Sequence, residues 1–207
     1  MANPWIDISY PIENGIPQWP GDLPIRISRI CEIGPNSFAQ VSKLDFVSHF
    51  MTHVDSPRHF IADGETIEAV SLDRWSGDAV VVAVDGDSIE ERHIPSNCAG
   101  LCVLFKTRNW ELFQHRTFQE NYVCLTGQAA QALADRGAKL VGVDYMSVDP
   151  YSKSEFPAHY ALLGNGITIL ESVDLRHIEP GEYELVAFPL KIVGCDGSPV
   201  RAALRVR

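Results

Sequence analysis

Four residues within one short run carry imidazole or carboxylate: His49, His53, Asp55 and His59, in His49-Phe-Met-Thr-His53-Val-Asp55-Ser-Pro-Arg-His59. The chain has seven histidines, and three of them fall here. Imidazole with carboxylate is the ordinary donor set for zinc, manganese or iron(II). Pro57 argues against a single helix through the run, and the β-branched Thr52 and Val54 favour extended backbone. All four positions are odd, and on an extended stretch odd positions share a face. His53 and Asp55 are then expected to point together, with a bend at Ser56-Pro57 bringing His59 back toward them. The competing reading is a solvated loop that happens to hold histidines, and the shared parity weighs against it.

A metal site needs further donors. His159, just before an apolar turn, and Glu171, directly after Ile167-Thr-Ile-Leu170, are the candidates. Taken alone, Glu171 reads as a charge emerging into solvent at a strand end. His93, His115 and His177 sit among charged or polar neighbours and read as surface residues.

The elements that must position these groups are mostly strands. Trp5–Tyr10 alternates apolar and polar residues, and Ile25–Ile33 and Ala39–Val47 are strand-like. Ala79–Val84 and Gly100–Phe105 are short apolar runs that predict fully buried strands. Thr126–Gly137 predicts a helix capped by Thr126 and ended by Gly137. A strand over Lys139–Val143 follows, then a short helical turn over Ala158–Gly164, a strand over Ile167–Leu170, and two strands from Tyr183 to the C-terminus. The sum is a β-rich α/β fold with few helices. Prolines and glycines are spread evenly and no repeat or linker stands out, so one domain over residues 1–207 is expected.

Composition narrows the function class. The chain has 207 residues and a net charge of -10, which repels nucleic-acid phosphates, and no basic stripe offsets it. No run of about 18 apolar residues predicts a membrane span, and the N-terminal stretch lacks the basic and apolar regions of a signal peptide. The five cysteines, Cys31, Cys98, Cys102, Cys124 and Cys195, are odd in number and irregular in spacing. They read as reduced thiols in a cytoplasmic protein. No G-x-S-x-G elbow, phosphate-binding loop or dinucleotide fingerprint is present.

The histidine run resembles the H-x-G-T-H-x-D-x-P-x-H motif of the cyclase-like metal-dependent hydrolases, the family that includes bacterial kynurenine formamidases and isatin hydrolases. Two further stretches match in order: Asp7-Ile-Ser…Pro11…Ile16-Pro-Gln-Trp19-Pro-Gly-Asp22, and His159-Tyr-Ala-Leu-Leu-Gly-Asn-Gly-Ile-Thr-Ile-Leu-Glu171-Ser. The resemblance is nearest to the formamidase branch. It implies a compact cyclase-like fold, a swivelling β/β/α arrangement, and two divalent metal ions per subunit, zinc or alternatively manganese. His49, His53 and Asp55 would bind the first ion. Asp55 would bridge to the second, His159 would hold that one, and Glu171 would contact both. His59 would be the general acid and base, and Trp19 would line the substrate pocket. The family forms homodimers or homotetramers. One position departs: the motif glycine is Met51. Methionine lacks the freedom of glycine to adopt φ > 0, so Met51 either reshapes the substrate pocket or sits on backbone that does not require glycine.

The implied reaction is hydrolysis of an aryl formamide such as N-formylkynurenine to the amine and formate. Metal-activated water attacks the carbonyl and His59 relays a proton to the leaving nitrogen. Opening of an isatin-type lactam or another small cyclic amide is the enzymatic alternative, and a non-catalytic metal-binding protein is the alternative of another class. The partner expected in every enzymatic case is a small-molecule amide, with no nucleic acid and no membrane.

Overall fold

The computed structural model of the chain describes residues 3–152 and 154–207. In chain order the strands and helices are β1 (Ile6–Asp7), β2 (Arg26–Cys31), β3 (Val41–Asp45), β4 (His53–Asp55), β5 (Ser76–Ala83), β6 (Cys102–Lys106), α1 (Gly127–Asp135), β7 (Leu140–Val143), α2 (Pro157–Gly164), β8 (Thr168–Glu171), β9 (Gly181–Val186), β10 (Gly197–Pro199) and β11 (Ala203–Val206). Nine strands form one mixed sheet in the order β1-β11-β9-β5-β6-β7-β8-β4-β10, and β2 pairs with β3 as a separate hairpin.

The apolar runs make the middle of this sheet. Strands β5, β6, β7 and β8 run parallel, and α1 and α2 lie in the β6–β7 and β7–β8 connections. Their side chains alternate between two cores, as strand geometry requires. Val103, Phe105, Val141, Val143 and Ile169 pack against Ala129, Leu133 and Leu162 of the helices. Cys102, Leu104, Leu140 and Leu170 face the opposite side, with Val54 and Trp75. Each fully buried side chain of this size contributes about 1.5–3 kcal/mol. The predicted fully buried strand at Ala79–Val84 is buried fully only on alternate residues of β5, because Val80 and Val82 are partly covered on the helical side.

The predicted helix is α1. Thr126 caps it by accepting from the Ala129 amide at 3.1 Å. The helical turn expected from Ala158 is two turns long because Pro157 enters at its first position, where the missing N–H has no partner to lose. The stretch from Gly181 to the C-terminus holds three strands, not two. The additional one, β10, is three residues with glycine and proline, too short for a periodic signal.

Candidate metal centre

The expected extended run from His49 to His59 is not what forms. Regular strand covers His53–Asp55 alone, Met51 has φ of 53°, and Pro57–His59 is a 3-10 turn. The parity reading therefore fails outside β4. The side chains converge because the chain folds back on both sides of that strand, not because they share one face.

Strand register supplies the centre. β4 lies antiparallel between β8 and β10, with His53 opposite Glu171 and Asp55 opposite Gly197. Directly opposed residues have neighbouring side chains, and His53 Nε2 stands 3.3 Å from Glu171 Oε2 and 3.4 Å from Asp55 Oδ1. Glu171 is buried rather than emerging into solvent, and its Oε1 accepts the Val148 amide at 2.8 Å. His159 arrives from the first turn of α2, with Nε2 at 3.8 Å from Asp55 Oδ2 and 3.6 Å from Glu171 Oε1. Donor atoms of His49, Asp55 and His59 lie within 4.8 Å of one another, as do those of His53, Asp55 and Glu171. Asp55 belongs to both groups. All six residues singled out from the sequence are thus brought together.

Three of the histidines have one ring nitrogen fixed from behind. His53 Nδ1 donates to the Met51 carbonyl at 2.7 Å. His159 Nδ1 donates to Asp149 Oδ2 at 2.7 Å, and the same carboxylate accepts the Ala158 and His159 amides at the start of α2. His49 Nε2 donates to Asp196 Oδ2 at 2.7 Å while its Nδ1 meets Asp55 Oδ1 at 2.7 Å. This is the arrangement by which outer carboxylates and carbonyls set the tautomer and orientation of metal-binding imidazoles. The fit to a divalent cation has a second support: His53 Nε2 and Asp55 Oδ2 are buried polar atoms without a hydrogen-bond partner among the described residues.

Electrostatics agree. Burial works against protonation of His53, but the close carboxylates of Asp55 and Glu171 outweigh it and raise the pKa to about 10. Burial opposes protonation of His49 as well, and the Asp55 charge with bonds to Asp196 and Asp55 lifts it to about 9. Burial alone would raise the Asp55 carboxyl, yet the His49 charge and its hydrogen bond drive it well below the usual carboxylate range. The buried acids demand positive charge at their centre. A divalent ion meets that demand with neutral imidazoles.

Asp149 and Asp196 were not legible in the sequence. Asp196 lies 147 residues from His49, and Asp149, although only ten residues before His159, sits in a segment with no recognisable pattern. Gly197 was missed with them. A Cβ there would stand 2.6 Å from His49 Cε1, so glycine is what lets β10 lie against the imidazole.

Beside this centre opens a cavity of about 460 Å³. Its walls include Trp19, Phe60 and Phe156 as well as His49, His59 and His159. Trp19 stands edge-on to Phe118 and Tyr151, with centroids 5.0 and 5.4 Å away. A hydrogen-bonded turn, Trp19-Pro20-Gly21-Asp22, presents both its end residues to the cavity. The Asp22 amide donates to the Trp19 carbonyl at 3.2 Å, and Gly21 has φ of 102°, the type II pattern. Met51 is buried among Tyr10, Ile25 and Phe50. It keeps the left-handed backbone that the motif glycine would favour, and it lines both this cavity and a second one of about 180 Å³ walled by Tyr10, Phe113 and Arg176.

The Cyclase family profile matches residues 6–150, well over half of the chain. The kynurenine formamidase of Geobacillus thermodenitrificans is 36% identical over 208 residues, covering 99% of each chain. Among solved structures, a predicted metal-dependent hydrolase from Bacillus stearothermophilus superposes with a TM-score of 0.85 at 29% identity, covering 100% of both chains. Isatin hydrolase A from Ralstonia solanacearum shares the fold, with a TM-score of 0.83 at 21% identity over 99% of this chain and 92% of its own.

Proposed function

The chain belongs to the Cyclase family of metal-dependent hydrolases, and on that footing we propose that it hydrolyses an aryl formamide, N-formylkynurenine being the type substrate, to the arylamine and formate. The observation that carries this is the convergence of His49, His53, Asp55, His59, His159 and Glu171 at one end of an aromatic-walled cavity. It stands in a chain aligned from end to end with a formamidase.

His49, His53 and Asp55 would hold a first divalent ion. Asp55 would bridge to a second, His159 would hold that one, and Glu171 would reach both. Zinc and manganese both suit this donor set. Ions held there polarise a carbonyl and bring the pKa of bound water from about 15.7 toward 7. Trp19 offers a flat apolar face against which the substrate ring packs. Water adds to the formyl carbon, the carbon–nitrogen bond breaks, and the nitrogen must leave protonated. His59 is suited to that proton transfer because its side chain is 27% exposed, against 3% for His53 and 5% for His159, while His49, at 21%, has both ring nitrogens engaged by Asp55 and Asp196. Asp196 stands 3.5 Å from His59 Nδ1 and orients the ring. His59 could also serve as a ligand with His49 and Asp55. Metal content of His59→Ala separates the two roles.

Residues 1–207 would work as one hydrolase domain. Self-association as a homodimer or homotetramer is supported by the β2–β3 hairpin, which leaves Ile33 (74%) and Phe38 (103%) open to solvent. No helix among the described residues is long and apolar enough to cross a membrane. Five cysteines without a disulfide support a reducing, cytoplasmic setting.

The test is hydrolysis of N-formylkynurenine, with isatin alongside, by metal-reconstituted wild type. Cleavage of the formamide is expected. Opening of isatin alone would leave the centre standing and overturn the substrate, and no reaction with either would overturn the formamidase reading.

A further inference from the structure

The carboxylates around the cavity differ in what they are bound to. Asp55, Glu171, Asp149 and Asp196 each face a histidine. Asp22 does not. It is half-buried on the cavity wall, and among the described residues its carboxylate has neither an ion pair nor a hydrogen bond. Its place is fixed by backbone, through the turn that also presents Trp19. No lysine or arginine lines the cavity. A ring stacked on Trp19 therefore has a carboxylate three residues away on the same turn, and no lysine or arginine in the wall to meet an anionic substituent, the imidazoles His49 and His53 being held by Asp55, Asp196 and Glu171.

We propose that Asp22 is a specificity-determining residue that selects aryl formamides bearing a cationic side group, so that the substrate's ammonium, and not its carboxylate, is what the pocket reads. This rests on the formamidase reading above. It follows that a carboxylate on the substrate adds nothing to recognition, and that a formylated arylamine with an aliphatic ammonium and no carboxylate is a substrate in its own right.

The experiment compares three compounds sharing the 2-formamidophenyl ketone core and a two-carbon spacer: N-formylkynuramine, which carries an ammonium; its neutral isostere 2-formamidophenyl propyl ketone; and the larger 4-(2-formamidophenyl)-4-oxobutanoate, which carries a carboxylate. For the metal-loaded wild type, kcat/KM for the ammonium compound should exceed that of the neutral reference by about 1.4- to 5-fold, the range for one exposed charge pair, and the carboxylate compound should fall below the reference. The preference should shrink with added salt. Asp22→Asn should bring the three ratios together, and Asp22→Lys should invert them. Wild type that cleaves all three with no charge preference, or a preference that survives in Asp22→Asn, overturns this proposal alone. Wild type that cleaves none of them overturns the formamidase reading and this proposal with it.

Discussion

At the scale of single residues, His49 and His53 carry a pH dependence whose sign reverses with metal. Their folded pKa values of about 9 and 10 lie above the usual histidine value of about 6.5. Stabilisation from their protonated forms is complete below about pH 6.5 and is lost as pH rises through about 9 and 10. Chelated protein should therefore show a lower urea midpoint at pH 10 than at pH 7. Asp196 acts at the other end: its bond with His49 holds the carboxyl below the usual range, so that its contribution is lost on acidification. Cation binding requires neutral imidazoles, so metal affinity should climb between pH 6 and 9 with release of protons. Titration calorimetry in two buffers of different ionisation enthalpy counts those protons, and an affinity flat over that range would contradict the assigned ligands. His59→Ala should lower kcat by about 100- to 10,000-fold with bound metal, measured by plasma mass spectrometry, unchanged. Loss of metal in that variant would make His59 a ligand.

At the scale of elements, the centre is a product of sheet register. β8 and β10 bring Glu171 and Gly197 to the two sides of β4, and α2 delivers His159 with its capping carboxylate already bound to the ring. Gly197→Ala should push His49 off Asp55 and Asp196, seen as reduced metal occupancy at a fixed metal concentration. Asp149→Asn should weaken metal binding by about 10- to 100-fold, and wild-type affinity in that variant would show that the bond to His159 is incidental. Here the difference between what the sequence discloses and what it hides is plain. The candidate donors His49, His53, Asp55, His159 and Glu171 were legible because their types are unusual together and their motifs hold in order. The parallel strands and α1 were legible from apolar runs and a capping threonine. The face presented by each donor was not, because parity holds only along strand and the left-handed turn at Met51 breaks it. Asp196 and β10 were hidden because the contacts that give them meaning are long-range, and Asp149 because its bond to His159 depends on how the loop before α2 folds.

At the scale of the whole molecule, one mixed sheet holds the centre between its parallel middle and the β4–β10 edge, while the β2–β3 hairpin stays outside that sheet. If the hairpin is the self-association surface, the double variant Ile33→Lys, Phe38→Lys should shift the mass measured by light scattering toward the monomer while far-ultraviolet circular dichroism is unchanged. An unchanged mass would place the contact elsewhere. Met51 has a consequence at this scale too. With Pro17 it lines two chambers of about 460 and 180 Å³, standing on backbone already shaped for glycine. Trimming Met51 to glycine would thus widen the rooms where they share a wall without redrawing the chain around it, a single mutational step toward a pocket roomy enough for a longer acyl group.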